Sequence, residues 1–250
     1  MRSLQALSKL YAEYHIFPEI CFGTGSPVYE FMHMYPKNYY SRDMLDFLKF
    51  HKYNPVQRGA DLPWWGSRYF SEDKDARVMI ISQDSLSDDA GSVVFWAHLF
   101  DIAKSQMEFS AYSSRLNNKN LFRYNSWSHV YQQLCSWELD LRYIYMTDAA
   151  KVYKSGSWKD RNFDKNRSRI LLKNEITLCQ PDLIITLGAS PVALLNDEWN
   201  YGDIVGKKVM VGSVPLVASP FFIGNGPTQP HFKERMERAS LQISEYINKW

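Results

Sequence analysis

Four short apolar runs constrain the fold of this 250-residue chain more than any other feature. They read ARVMIIS at 76–82, LRYIYMT at 141–147, PDLIITL at 181–187 and a valine-rich stretch at 208–218. Near-continuous apolar runs bounded by turn residues are typical of strands that are buried on both faces, as in a parallel sheet. We therefore predict that these runs form one central, mainly parallel four-stranded sheet.

Helical patterns separate and follow the runs. They cover 94–106, 127–139, 168–179, 191–195 and, as a long amphipathic pattern, 232–250. Alternation of strands and helices predicts an α/β fold, in the form of a three-layer α/β/α sandwich. Such sheets bind their ligands at the carboxyl ends of the strands. The loops that begin at Gln83, Asp148, Gly188 and Ser219 are therefore expected to converge.

The first 74 residues carry a different pattern. Apolar residues recur at helical spacing near 4–11 and 44–48, and turn-rich or aromatic pieces lie at 23–27 and 63–70. None of these segments has the pattern of a buried strand. We predict a mostly helical N-terminal extension, residues 1–74, packed on an α/β domain that spans residues 75–250.

Composition and cysteine usage exclude several classes of protein. The net charge of +2 gives no global argument for a nucleic-acid partner, so any electrostatic footprint must be local. Cys21, Cys135 and Cys179 form no CxxC pair, which excludes a recognisable zinc or iron–sulfur ligand set, and we predict no cofactor. No apolar run reaches the roughly 18 residues of a membrane span, and the N-terminus has no signal-peptide core. We expect a protein of the cytoplasm, or of the nucleus in a eukaryote, without a membrane partner.

The loop Gln83-Asp84-Ser85 directly follows the first run. A carboxylate just past a central strand, beside an amide side chain, can activate a water molecule or hold a cation. A helix cap is the structural alternative, because Asp and Ser favour such turns. Asp88 and Asp89 follow closely, so a divalent-metal site is a rival interpretation.

A second polar pair, Thr147-Asp148, ends the second run and precedes a basic segment. Residues 151–173 carry eight Lys or Arg against two Asp, which fits either a contact to a phosphate backbone or a solvated helix face. The loop at 219–226, SPFFIGNG, holds aromatic residues among glycines. These rings either stack on or wedge between nucleotides, or they are buried against the sheet.

Taken in order, these segments resemble the motifs of the uracil-DNA glycosylase superfamily. VMIISQDS is similar to a first motif in which a strand ends in Gly-Gln/Glu-Asp/Ala-Pro, and YIYMTDAAKVY to a strand with Thr-Asn before a basic stretch. LLKNEITLCQPDLIITLGASPVALL is similar to a helix with a Glu that leads into a Pro-x-x-Ile-x-x-Leu-Gly strand. VPLVASPFF stands where the family has a strand ending in His-Pro-Ser. The resemblance covers roughly residues 76–235.

The resemblance implies a monofunctional DNA glycosylase, which flips a base out of the stack and hydrolyses its N-glycosidic bond through an oxocarbenium-like transition state. DNA, single- or double-stranded, is the implied partner. By the match, Asp84 is the catalytic carboxylate and Ser219 stands at the position of the motif His. The implied substrate contacts are Gln83, Ser85, Phe95 (with Val94 as the alternative for the same position), Asp148 and Asn225. The implied contacts to the nucleic-acid backbone are Lys151, Lys154, Gly188 and Ser190.

Two departures from the family pattern bear on the substrate. Asp148 stands in place of the base-reading Asn, and an ionised carboxylate can only accept hydrogen bonds. It therefore favours a base edge that presents donors, such as an exocyclic amine, over the O4 of uracil. Ser219 is a weaker donor than a His, so it stabilises the leaving base less. The expected loss of rate is on the order of 100-fold.

Three hypotheses about function follow. The first is a glycosylase that acts on a damaged or modified base. The second is a superfamily member that binds nucleic acid or a nucleotide without excising a base, as the replaced Asn and His indicate. The third is an unrelated metal-dependent hydrolase that uses Asp84, Asp88, Asp89 and Asp148.

Overall fold

A computed structural model describes residues 6, 7, 10, 63–72, 75–83, 93–97, 100, 105–113, 124–150 and 165–249 of the chain. At some helical positions, Phe95 among them, only the backbone is described. The described residues form a mixed α/β fold built on one six-stranded sheet, so the predicted α/β class is confirmed. Most of the predicted N-terminal extension, residues 1–74, lies outside the described residues.

The sheet has the strand order β1-β3-β2-β4-β6-β5. Its strands are β1 (Trp64–Trp65), β2 (Val78–Ser82), β3 (Ile144–Asp148), β4 (Leu183–Leu187), β5 (Lys208–Val211) and β6 (Val214–Ser219). The inner strands β3, β2, β4 and β6 run parallel, and β1 and β5 pair antiparallel at the two edges. The sheet therefore has six strands where four were predicted.

Both additional strands have a local cause. The valine-rich stretch predicted as one strand is a hairpin, because Gly212, with a φ of 60°, lies in the turn between β5 and β6. Trp64 and Trp65 lie in the segment predicted to hold no strand, and they pair with Met146 and Tyr145 of β3. A two-residue strand has no periodicity of its own, so its pairing partner alone reveals it.

Helices lie between and after the strands of the sheet. They are α1 (Val93–Ala97), α2 (Gln106–Ser113), α3 (Tyr124–Ser136), α4 (Lys165–Cys179), α5 (Ala189–Leu195), α6 (Tyr201–Ile204) and α7 (Phe232–Ile247), with 3₁₀ turns at Leu141–Tyr143 and Gly226–Thr228. The patterns at 127–139, 168–179, 191–195 and 232–250 correspond to α3, α4, α5 and α7 with shifted ends. None of the helices in the described part of the chain has both the length and the apolar character that a membrane crossing requires.

The inner strands have the burial that their apolar runs predict. Every residue of β2, β3 and β4 is buried. The short strand β1 is attached by an aromatic pair, since Trp65 stacks on Tyr145 with 5.6 Å between ring centroids and 7° between ring planes. Such pairs contribute about 0.5–1.5 kcal/mol beyond the area that they bury. This contact helps to hold a strand of two residues at the edge of the sheet.

The approach of β1 to the turn before β3 gives a test of the edge pairing. Gly66 donates its N–H to the Ile144 carbonyl at 2.9 Å, and a Cβ on Gly66 would overlap the Leu141 carbonyl oxygen. We expect Gly66→Ala to lower the free energy of unfolding by about 1–3 kcal/mol, because the backbone must move to relieve the overlap. Urea denaturation measures the change.

Gly202→Ala is the matched control. At Gly202 the nearest atom to a Cβ would be Asn200 Oδ1, at an ordinary 3.4 Å. We expect this variant to change the free energy of unfolding by less than about 0.5 kcal/mol. Equal losses in the two variants would contradict the close approach of Gly66 to the turn.

Candidate functional site

The carboxyl ends of the parallel strands lie side by side along one end of the sheet. Ser82, the last residue of β2, is in register with Asp148, the last residue of β3. Backbone hydrogen bonds of 2.8 Å continue beyond the strands, from the Ala149 N–H to the Ser82 carbonyl and from the Gly188 N–H to the Ser219 carbonyl. The four loops that follow these strands therefore start next to one another.

Ser82, Asp148 and Ser219 share one face of the sheet. Side chains alternate along a strand, so residues at the same register of parallel neighbours project from the same face. Ser82 is 1% exposed, and Asp148 and Ser219 are fully buried. The Ser82 hydroxyl has no hydrogen-bond partner among the described residues. Because buried polar groups are normally hydrogen-bonded, this hydroxyl is available to a bound polar group.

The ends of β2 and β4 form the switch point of the sheet. From β2 the chain continues to β3 on one side, whereas β4 and β6 follow on the other side. Open α/β sheets bind ligands in the crevice at such a point. Here Ser190 of α5 donates a long hydrogen bond to Gln83, with 3.5 Å between Oγ and Oε1. The structure thus brings together a predicted substrate contact and a predicted backbone contact.

Gly188 turns the chain from β4 into α5. Its φ of 83° lies in the region that favours glycine, and a Cβ would lie 3.2 Å from the Cβ of Phe221. The loop after β6 therefore packs close to the turn after β4. The backbone geometry and the close packing are sufficient reasons for a glycine at this position, whether or not a ligand binds. The contact of Gly188 with nucleic acid stays a prediction.

The Ser219 hydroxyl is engaged within the protein. It donates to the Pro220 carbonyl at 3.1 Å and approaches the Met236 sulfur at 3.6 Å. The carbonyl of Ser219 also faces the Tyr201 hydroxyl, 3.5 Å away. Burial raises the pKa of Tyr201 to about 12, so its hydroxyl is a donor at neutral pH. Ser219 therefore has fixed partners on α7 and in its own loop, and its catalytic role stays a prediction.

The aromatic loop after Ser219 is packed rather than exposed. Phe222 is buried and meets Trp137 edge-on, with 5.8 Å between the ring centroids. Phe221 is partly buried against the core. The exposed side chain in this loop is that of Asn225. The main-chain carbonyl of Asn225 accepts a 2.8 Å hydrogen bond from the Thr228 hydroxyl. Stacking of Phe222 on nucleotides is therefore a wrong interpretation, because the core already holds its ring.

Several predicted site residues lie outside the described part of the chain. They are Asp84 and Ser85, the lysines Lys151 and Lys154, and the rival metal ligands Asp88 and Asp89. Phe95 is in α1, where only its backbone is described. Their proposed roles stay predictions. Of the four carboxylates in the metal hypothesis, the structure describes Asp148 alone, and no metal-holding group of three His, Cys, Asp or Glu occurs among the described residues.

A buried carboxylate behind the strand ends received no role from the sequence. Glu175 of α4 is fully buried, and its Oε1 accepts hydrogen bonds from the Tyr145 hydroxyl at 2.7 Å and from the Thr147 hydroxyl at 2.9 Å. The spacing holds a signal for it, since Glu175 follows the buried Leu171 by four residues and thus lies on the apolar face of α4. Tyr145 and Thr147 face the opposite side of β3 from Asp148. Glu175 therefore holds the end of β3 from behind.

A large groove lies at the opposite end of the sheet. Its volume is about 890 Å³, and its lining includes Lys173, Asp182, Trp199 and Ser213. Asp182 directly precedes β4 and Ser213 directly precedes β6, so the groove is at the amino ends of these strands. The candidate site is instead the strand-end row, which consists of Ser82, Asp148 and Ser219, because ligands of parallel sheets bind at the carboxyl ends of the strands.

The Glu175 cluster can be tested by hydroxyl removal. Thr147→Val and Tyr145→Phe each take one donor from a buried carboxylate oxygen, and we expect each to lower the free energy of unfolding by about 1–3 kcal/mol. Since both hydroxyls donate to Oε1, the double variant should deviate from additivity by at least about 0.5 kcal/mol. Chemical denaturation of the wild type, the two single variants and the double variant measures the free energies of unfolding for this double-mutant cycle.

Thr177→Val on the exposed face of α4 is the control for this cycle. The Thr177 hydroxyl donates to the Lys173 carbonyl at 3.0 Å in an exposed position. Its removal should change the free energy of unfolding by less than about 0.5 kcal/mol. A loss at Thr177 as large as the loss at Thr147 would show that the buried carboxylate is not the cause.

Neither a scan against protein-family models nor a search of curated proteins found a match to this chain. The likeness to the uracil-DNA glycosylase superfamily therefore rests on the four motifs and their order in the sequence. Geometry at the strand ends supplies an independent reason to look for a ligand at the same place.

Proposed function

We propose that this chain is a DNA glycosylase-like protein, which flips a damaged or modified base and hydrolyses its N-glycosidic bond. The observation that carries the proposal is the row of buried polar residues at the strand ends. Asp148 is buried beside Ser82, and the Gln83–Ser190 contact crosses the switch point next to them. Parallel sheets bind ligands at this place. The resemblance assigns Gln83 and Asp148 to substrate contacts and Ser190 to the nucleic-acid backbone.

The proposal includes the three-layer arrangement of the fold. Glu175 of α4 contacts Tyr145 and Thr147 on one face of β3. Met236 of α7 contacts Ser219, which belongs to the face that carries Asp148. Helices against both faces are what an α/β/α sandwich requires. In that arrangement, the strand-end crevice opens between the two helical layers.

Asp148 has the properties needed to select a base. A flipped base is read through hydrogen bonds to its polar edge inside a pocket. A buried carboxylate offers acceptors alone when it is ionised, so it pairs with an edge that carries N–H donors. A base with an exocyclic amine meets this requirement, whereas the O4 of uracil would be repelled. We therefore propose a substrate base other than uracil.

Asp84 is the proposed catalytic residue. It follows Gln83 directly in the sequence, and by the resemblance its carboxylate positions or activates the attacking water and stabilises the cationic sugar. Hydrolysis of this kind needs no cofactor. We propose DNA as the partner and the cytoplasm, or the nucleus in a eukaryote, as the compartment.

Base release from a panel of oligonucleotides tests the proposal. We expect abasic product from at least one oligonucleotide with a damaged or modified base, and about 100- to 10,000-fold slower release by Asp84→Asn, which removes the general base. Alkaline cleavage of the abasic strand, resolved on a gel, gives the rate. Asp197→Asn, an exposed carboxylate at the opposite end of the sheet, should leave the rate unchanged. Release that is absent from every oligonucleotide would overturn the proposal.

The choice of base is tested by Asp148→Asn. Asn has nearly the same shape as Asp, but it both donates and accepts, so the repulsion of the uracil O4 disappears. We expect the ratio of kcat/KM for uracil to that for the amine-bearing base to rise at least about tenfold, the effect of one hydrogen bond. Thermal denaturation checks that the variant folds. An unchanged ratio in a folded variant would show that Asp148 does not read the base.

A second candidate function is binding without excision. It is favoured by the engagement of the Ser219 hydroxyl with the Pro220 carbonyl and the Met236 sulfur, because a donor in use elsewhere cannot stabilise a departing base. This function predicts salt-dependent binding of oligonucleotides that weakens in Lys151→Ala and Lys154→Ala, without release of a base. Binding that ignores both salt and these lysines would count against it.

A further inference from the structure

A basic surface adjoins the carboxyl end of β6, next to the candidate site. It is formed by residues 201–208 and 231–238, and we call it the β6-end surface. The two segments approach closely at Gly206, whose N–H donates to the Ala218 carbonyl at 2.8 Å. A Cβ on Gly206 would lie 2.7 Å from the Cβ of Arg238, and the φ of Gly206 is 73°. The surface is therefore a fixed part of the fold beside the strand-end row.

Cations outnumber carboxylates on the β6-end surface. The cations are Lys207, Lys208, Lys233, Arg235 and Arg238, and the carboxylates are Asp203, Glu234 and Glu237. Glu234 is already engaged, because it lies 3.7 Å from the Arg238 guanidinium and 3.6 Å from the His231 ring. The surplus of positive charge makes an anionic ligand the complementary one.

Arg235 is the cation best placed for such a ligand. It is only partly exposed, and among the described residues no carboxylate forms an ion pair with it. It precedes Met236, whose sulfur contacts the Ser219 hydroxyl. A guanidinium that is half-withdrawn from water and lacks a carboxylate partner is suited to the oxygens of a phosphate, which its planar fork matches.

Tyr201 supplies a second donor at the same place. Its hydroxyl is 3.5 Å from the Ser219 carbonyl, which is a long hydrogen bond that a stronger acceptor can replace. The charge of Arg235 acts on this phenol and opposes the rise of its pKa that burial causes. The Tyr201 hydroxyl and the Met236 sulfur both approach Ser219, and Arg235 directly precedes Met236. The guanidinium and the phenol therefore belong to elements that adjoin at the end of β6.

We propose that Arg235 and Tyr201 form a phosphate-binding subsite, which holds a phosphodiester of the nucleic-acid strand whose base enters the strand-end site. The phosphate chemistry follows from the β6-end surface itself. Its assignment to a nucleic-acid backbone rests on the proposed function. Neither Arg235 nor Tyr201 is among the backbone contacts that the resemblance implies.

Arg235→Gln tests the subsite, with Arg238→Gln as the matched control. Both variants lose one positive charge from the same helix, but Arg238 is paired with Glu234. Fluorescence anisotropy of a labelled 12-nucleotide DNA is measured over a series of salt concentrations. We expect Arg235→Gln to weaken binding about tenfold or more and to reduce the slope of log K against log salt by about 0.7. Arg238→Gln should weaken binding less than about twofold.

A second arm identifies the source of the phosphate. Inorganic pyrophosphate should compete with the labelled DNA in the wild-type protein, and its competition should be weaker in Arg235→Gln. Tyr201→Phe should weaken binding without changing the salt slope, because it removes a neutral donor. If pyrophosphate binds in an Arg235-dependent way and DNA does not bind, the phosphate subsite holds a free phosphate ligand instead of a backbone.

The remaining outcomes separate this inference from the proposed function. Equal losses in Arg235→Gln and Arg238→Gln, or no binding of either probe, would overturn the subsite. Arg235-dependent binding of DNA without release of any base would support the subsite and contradict the glycosylase. Base release whose KM is the same in wild type and Arg235→Gln would support the glycosylase and contradict the subsite.

Discussion

The pairing of β2 with two parallel neighbours is the constraint on which the rest of the structure depends. β2 is hydrogen-bonded to β3 along one edge and to β4 along the other, and all five of its residues are buried. Such a strand must be apolar up to its last residue, and the chain that leaves it can meet solvent only beyond its ends. Polar residues thus appear at Ser82 and Gln83, where the strand stops. The candidate site is a consequence of where β2 ends and which strands lie next to it.

Burial of carboxylates near the end of β3 is the second feature that shapes the site. Glu175 and Asp148 are both fully buried, but they belong to opposite faces of the strand end. Glu175 is held by the hydroxyls of Tyr145 and Thr147, which lower the cost of withdrawing its charge from water. A strand end anchored from one face can present a carboxylate on the other face with little freedom to move. That rigidity suits recognition of a flat polar ligand.

The sequence predicted the inner strands well and the edges poorly, for one physical reason. Inner parallel strands are buried on both faces and so leave continuous apolar runs. Edge strands are short or partly exposed, and their patterns merge with their surroundings. β1 has only two residues, and β5 and β6 form one continuous valine-rich pattern because only Gly212 and Ser213 lie between them. The same reason explains the prediction of the site, because its residues directly end or follow the apolar runs of the inner strands. The spacing of Glu175 from Leu171 places it on the apolar face of α4, but it does not reveal the two hydroxyls that donate to the carboxylate.

By itself, the sequence determined the α/β class, the inner strands and the residues that end them, because apolar runs and turn residues are local properties of the chain. Tertiary structure alone decided which strands are neighbours, and hence that Ser82 lies beside Asp148 and Gln83 beside Ser190. It also decided that Phe222 is held by Trp137, and that Tyr201 and Met236 both approach Ser219 at the end of β6. Each of these contacts joins residues 17 or more positions apart in the chain. Strand order and helix packing set them, and no local pattern in the chain encodes either.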